Sequence, residues 1–258
     1  MELTAEQIQK NWNTFIQVIE TEFSGERLEN LKKLYTENQD TLMFAPASGT
    51  EHYHNCFAGG YIDHVLRVYE FTKQVFQNWQ DNGATINYTY EELVFAALHH
   101  DLGKLGFPGK GNETYHPNPS DWHRKNQGKI YTHNTNNPFH NVNDLTVWLL
   151  QHYGITTTWN EMITIKLTDG LYDDANKMYY ISRSKEAKLK TNMPYILHQA
   201  DSMAARIEYE MWVSNEMAKP MEITKPKTGP KPKVENHIPA NKAQAMFDDI
   251  FGDSIKNA

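Results

Sequence analysis

The chain has 258 residues, 39% of them hydrophobic and 12% aromatic, enough to bury a sizeable core in one domain with an appendage. Its net charge of −7 argues against a protein that coats duplex nucleic acid by broad attraction, while leaving room for a local basic cleft or a bound cation to handle a phosphate. One cysteine, Cys56, excludes an intramolecular disulfide framework and favours a reducing, cytoplasmic setting, and no apolar run approaches the roughly 18–20 residues that span a bilayer.

The acidic N-terminus lacks a signal-peptide pattern. Thr4-x-x-Gln7 has the form of a capping box and opens an amphipathic stretch (Ile8, Trp12, Phe15, Ile16, Ile19) to about Phe23. A second helix is expected over Glu26–Tyr35, and Ala45–Phe57 reads as loop. From Gly60 to Trp79 apolar residues recur at helical spacing, and Asn82-Gly83 ends the run. Thr89-x-x-Glu92 is a further capping box leading into Leu93–His100, with Gly103 and Gly106 as the stop.

Residues 107–141 are rich in Gly, Pro, Asn and His and show little periodicity, so they read as a long irregular covering of an active site. Asp144–Tyr153 reads as helix, and Thr158-x-x-Glu161 caps another to about Asp169-Gly170. A long helix follows from Met193 to Met217. Strand signals are weak, so the expected class is all-α: a helical bundle with a long irregular loop and a flexible C-terminal tail. The organisation that follows is N-terminal helices over 1–44 packing on a core domain at 45–218, a Lys/Pro linker at 219–240 with five lysines and four prolines up to residue 233, and a tail peptide at 241–258.

Four residues in three apolar helical segments carry chemistry: His64, the pair His100-Asp101, and Asp201. A charged Asp inside an apolar helix is costly unless paired or on a metal. Two imidazoles and two carboxylates hold one divalent ion through mixed nitrogen and oxygen donors. Neighbours on a helix diverge by about 100°, so His100 and Asp101 reach one ion only where their helix ends. Ligands from three helices converge in a bundle core. The donor set admits Mn²⁺, Mg²⁺, Fe²⁺, Ni²⁺ or Zn²⁺. Three further residues are candidates for substrate contact: His54 beside Gly59-Gly60, with a supporting or loop role as the competing reading, Asp169, with a capped helix end and turn as the competing reading, and Arg206. For Arg67 and Arg206 the competing reading is a partner for a helix carboxylate, such as Glu70 or Glu210. His99 reads as a packing residue or an orienting neighbour.

The order His…His-Asp…Asp resembles the HD-domain superfamily of metal-dependent phosphohydrolases. Leu98-His-His-Asp-Leu-Gly-Lys104 is similar to the family's Leu-x-His-Asp-(Ile/Leu)-Gly-Lys. His54-Asn-Cys-Phe-Ala-Gly-Gly-Tyr-Ile-Asp-His64 resembles the His-x-x-x-x-Gly-Gly-Leu-x-x-His opening of HD-type 3′–5′ exoribonucleases, and Ile196-Leu-His-Gln-Ala-Asp201 their closing segment. The likeness covers about residues 52–210. It implies that His64, His100, Asp101 and Asp201 are metal ligands, that Lys104 meets a phosphate oxygen, and that Asp101 and Lys104 serve catalysis. It also implies histidines for a second metal, for which His123 and His152 are the candidates.

The expected function is hydrolysis of a nucleotide or nucleic-acid phosphoester by metal-activated water. The alternatives are a 3′–5′ exonuclease on single strands and a non-catalytic, metal-stabilised accessory protein. In the tail, Gln244-Ala-Met-Phe-Asp-Asp-Ile-Phe251 places Met246, Phe247, Ile250 and Phe251 on one helical face. It resembles the sliding-clamp-binding tails of phage replication proteins, which implies a clamp as partner in a bacterial host cytoplasm; docking on its own domain is the competing reading.

Overall fold

The computed structural model describes residues 2–182, 184–186 and 188–214. The expected linker at 219–240 and tail at 241–258 lie outside the described residues, as does the end of the long helix beyond Ser214. The described residues are mainly helical, with one two-stranded sheet.

Three helices open the chain: α1 (Ala5–Glu22), α2 (Gly25–Glu37) and α3 (Gln39–Phe44). The Thr4 side chain accepts from the Gln7 backbone N–H and the Gln7 side chain accepts in return from Thr4 N–H, so two otherwise orphaned donors of α1 are satisfied. One face of α1 buries Ile8, Trp12, Phe15, Val18 and Ile19. Phe15 meets the edge of Tyr35 from α2, ring centroids 4.9 Å apart. Each such buried side chain contributes roughly 1.5–3 kcal/mol. These residues belong to the same hydrophobic cluster as those of the central helices α4 (Gly60–Asp81) and α5 (Tyr90–His99).

The start of α4 depends on Gly60, where a methyl would overlap the Asn55 carbonyl oxygen. Thr89 and Glu92 cap α5 reciprocally. The helix then ends at His100, Asp101 leaves helical geometry at φ −110°, and a 3-10 turn runs over Leu102–Leu105. Gly103 is not the stop that its position suggested. Its backbone passes so close to Val142 that a side chain there would overlap the Val142 carbonyl, and the turn ends instead at Gly106, φ +89°.

The 107–141 segment, expected to be irregular, contains a short hairpin and a helix. Strand β1 (Tyr115–Pro117) pairs antiparallel with β2 (Tyr131–His133), Tyr115 opposite His133, around a short helix α6 (Asp121–Gln127). Side-chain amides supply the hydrogen bonds that the irregular backbone lacks. Asn112 donates to Pro108 O, Asn118 to Lys129 O, Asn134 to Gly111 O and Asn137 to Asn112 O. These asparagine side chains, which periodicity does not register, hold the segment in place.

Helix α7 (Val142–His152) packs on the 3-10 turn, and α8 (Trp159–Lys166), capped by Thr158 and Glu161, packs on α5. It ends at Lys166, short of the expected Asp169. After the short α9 (Lys177–Ile181), α10 (Met193–Ser214) runs against α4 along much of its length. Among the described residues no helix is long and apolar enough to cross a membrane.

Candidate metal centre

Three elements deliver four side chains to one point. His64 comes from the first turns of α4, His100 and Asp101 from the end of α5, and Asp201 from the middle of α10. Both imidazoles are buried, whereas the Asp101 and Asp201 side chains keep 16% and 20% of their surface. The histidines therefore form the floor of the centre and the carboxylates its rim. His64 Nε2 lies 3.2 Å from Asp201 Oδ1 and 3.8 Å from Asp101 Oδ2. His100 Nε2 lies 3.4 Å from Asp101 Oδ2 and 3.8 Å from Asp201 Oδ1.

The far side of each ring fixes its tautomer. His100 Nδ1 sits 2.8 Å from the Ala97 carbonyl, which only accepts, so Nδ1 carries the proton. His64 Nδ1 sits 3.0 Å from Glu208 Oε2, and Arg67 Nε donates to Glu208 Oε1 at 2.9 Å. That carboxylate, already accepting from Arg67, meets the ring as an acceptor. In the neutral rings both Nε2 atoms are thus lone-pair donors, and both are buried and without a hydrogen bond. They face two carboxylates that have no proton to give. Two lone pairs and two negative groups at this spacing call for a cation between them.

The spacing suits one. Cis donors about 2.1 Å from an ion are about 3.0 Å apart in an octahedron and about 3.4 Å in a tetrahedron, close to the four separations above. The sets His64–His100–Asp201 and His54–His64–Asp101 each bring their ligand atoms within 4.8 Å of one another. Mixed imidazole and carboxylate donors match a first-row divalent ion.

Electrostatics tell the same story with protons as the cation. Burial by itself lowers the His64 pKa, but Glu208 and Asp201 more than reverse this and hold it at about 10. Burial likewise opposes the charge on His100, and Asp101 and Asp201 raise its pKa above the usual value. Against their own burial, Asp101 is held well below the carboxylate range by Lys104 and His100, and Asp201 is lowered by His64 and His100.

The other expected site residues divide. Lys104 Nζ is 2.5 Å from Asp101 Oδ2 and its side chain is 9% exposed. The His54 ring lies 4.7 Å from that of His64, with Nε2 buried and unpartnered. Burial, Lys104 and His64 push its pKa well down. Asp169 accepts from Asn143 Nδ2 at 3.1 Å, and burial together with the Asp101 and Asp201 charges raises its pKa, but it joins neither donor set.

Three expected contacts are absent. Arg206 pairs with Glu210 at 3.0 Å on the outer face of α10. It stands five residues, about 140° of rotation, from Asp201. His123 is exposed, with Nδ1 on Ser120 Oγ at 2.7 Å, and His152 is exposed and stacked on Trp148. Neither histidine joins either donor set, because α6 and the end of α7 turn these side chains to the surface. Arg67 is not on Glu70 but on Asp63 and Glu208. His99 packs against Phe95 and Tyr35, its Nδ1 on the Phe95 carbonyl. Glu208 is the residue the sequence reading missed. Its signal was the spacing: seven residues beyond Asp201 brings a helix back to nearly the same face.

A 670 Å³ cavity adjoins the centre through Lys104 and Tyr115 and extends past Phe44, Phe107, Lys110 and Tyr131. None of the four central residues lines that cavity, and none lines a 460 Å³ cavity between Asn87, Tyr180, Lys190 and Tyr195. The chain matches no family model, no curated protein and no solved structure.

Proposed function

We propose that the chain is a divalent-metal-dependent phosphohydrolase acting on the phosphoester of a nucleotide, with His64, His100, Asp101 and Asp201 holding the ion. One observation carries the reading: two buried Nε2 atoms without a hydrogen-bond partner and two carboxylates from three helices converge at 3.2–3.8 Å with a lysine ammonium beside them. An ion bound there supplies Lewis acidity toward a phosphoryl oxygen and lowers the pKa of water.

The side chains supply the rest. Glu208 and the Ala97 carbonyl fix the two rings with their lone pairs inward. Lys104, anchored on Asp101 and lining the cavity, offers N–H donors to a phosphate oxygen. His54 Nε2, buried without a partner beside the His64 ring, is a further polar atom at the centre. The carboxylates, 16% and 20% exposed, are the part of the centre open to solvent.

The cavity beside Lys104 favours a mononucleotide over a strand. Its 670 Å³ suits a compact ligand, and its wall combines the rings of Phe44, Phe107, Tyr115 and Tyr131 with the carboxylates of Glu37, Asp40 and Glu113. Aromatic faces stack on a base and carboxylates accept from sugar hydroxyls or ring amines. Comparing Mn²⁺-supported turnover of nucleoside monophosphates with nucleotide release from a 3′-labelled oligonucleotide tests this. Faster turnover of monophosphates is expected; release from the oligonucleotide alone would point to an exonuclease.

A further inference from the structure

The 460 Å³ cavity opens between α9, the segment that leads into α10 and the loop that follows α4, away from His64, His100, Asp101 and Asp201. Its volume suits one compact ligand. Its charge is unlike that of the rest of the chain. The protein carries a net charge of −7, and the cavity beside Lys104 is walled by Glu37, Asp40 and Glu113. Here, among the described residues, the charged side chains of the lining are Lys188 and Lys190 alone. Both lysines are exposed, and no carboxylate among the described residues pairs with either; Lys190 Nζ donates to the Lys185 carbonyl at 3.3 Å. Two ammoniums without a balancing carboxylate form a seat for an anion.

The rest of the wall suits a flat ring. Tyr195 is engaged by its neighbours, stacked on Trp79 with ring centroids 6.3 Å apart and meeting Tyr180 edge-on at 5.0 Å. The Tyr180 hydroxyl is engaged too, donating to the Leu167 carbonyl at 3.0 Å. Tyr179 also lines the cavity, and among the described residues it has neither a ring partner nor a hydrogen bond, so its ring is left for a ligand. The walls are set before a ligand arrives. Asn87 Nδ2 donates to the Lys190 carbonyl at 2.6 Å, Asn192 Nδ2 to the Thr85 carbonyl at 3.0 Å, and the Tyr88 hydroxyl to Asn192 Oδ1 at 2.8 Å. These bonds stitch the loop after α4 to the segment that carries Lys190, which lowers the ordering cost of binding.

We infer that this cavity binds a nucleoside phosphate, with the phosphate oxygens on Lys188 and Lys190 and the base on Tyr179. An inorganic anion would use the ammoniums and leave the ring idle, and an apolar ligand would leave the charges unmatched. A nucleoside phosphate engages both within one compact molecule. The site lies apart from the candidate metal centre, so it holds its ligand without any divalent ion.

The test is binding of the fluorescent nucleotide mant-ADP, read by anisotropy in excess EDTA. Wild type, Lys188→Gln/Lys190→Gln, Tyr179→Leu and Lys104→Met are compared, with thermal melts verifying the fold of each. Wild type is expected to bind saturably, and Lys104→Met equally well. The lysine double variant is expected to bind about tenfold more weakly or worse, and Tyr179→Leu to be weakened as well. Unlabelled ADP should displace the probe at concentrations where adenosine and inorganic phosphate, each half of the ligand, do not. Absence of saturable binding to wild type overturns the inference, as does wild-type affinity in the folded lysine double variant or in folded Tyr179→Leu. Loss of binding in Lys104→Met alone overturns it by placing the nucleotide beside the metal centre. Displacement by oligothymidylate but not by ADP overturns it in favour of a strand-binding surface.

Discussion

Asp201 and Glu208, seven residues apart on one face of α10, hold the two nitrogens of one imidazole between them. Asp201 Oδ1 is 3.2 Å from His64 Nε2, and Glu208 Oε2 is 3.0 Å from Nδ1. Arg67 completes the arrangement by donating from Nε to Glu208 and from a terminal guanidinium nitrogen to Asp63. One helix thus carries both a candidate ligand and the carboxylate that orients a second candidate.

Glu208→Gln follows as the first variant. A glutamine carbonyl still accepts from His64 Nδ1, but the negative charge that strengthens the ring as a donor is gone. Carboxylate partners of this kind are worth about 10- to 100-fold in metal affinity. Isothermal titration with Mn²⁺ should show a loss of that size. An unchanged affinity would mean that Glu208 serves the Arg67 ion pair alone.

Arg27 ties the N-terminal helices to α8. It makes a fork onto Glu161, Nη1 to Oε1 at 2.7 Å and Nη2 to Oε2 at 3.1 Å, and the Glu161 side chain is fully buried. Removing one partner of a buried pair strands the other, at roughly 3 kcal/mol for an arginine that is itself partly exposed. Urea unfolding of Arg27→Ala should show a loss of that order, and a loss below about 1 kcal/mol would place the pair among ordinary surface contacts.

Acid stability should depend on Glu92. Burial raises its pKa, but hydrogen bonds from Thr158, from the Thr89 backbone and from Asn160 outweigh this and leave it below the usual value. A folded-state value below the unfolded one means that the ionised form stabilises the fold. The contribution is fully present above the ordinary carboxylate range and is lost as the pH falls through the folded-state value. Between about pH 6 and pH 3 the wild type should therefore lose stability more steeply than Glu92→Gln. Parallel slopes in denaturant titrations would contradict this.

The helices were legible because their signals are local. Thr4, Thr89 and Thr158 each announce a helix start by a partner three residues on, and all three boxes form. The clustering of His64, His100, Asp101 and Asp201 was legible because polar residues inside apolar faces demand a common partner. The hairpin around α6 was not, since its order comes from asparagine side chains bonding to distant backbone, which no periodicity records. His123 and His152 were misplaced for a related reason. Where a side chain on a short helix or a helix end points depends on tertiary packing, and Trp148 claims the His152 ring. Arg206 and Glu208 differ by two positions on α10, yet one faces solvent and the other the core, because only the seven-residue step repeats the face of Asp201.

The most direct measurement of the central claim is release of inorganic phosphate from a panel of nucleoside monophosphates. Chelator-treated protein would be assayed before and after adding Mn²⁺ or Mg²⁺, beside Asp101→Ala. The account predicts release that requires the added ion and falls about 10³-fold or more in the folded variant. Release at equal rates from wild type and Asp101→Ala, or release indifferent to chelation, would contradict it.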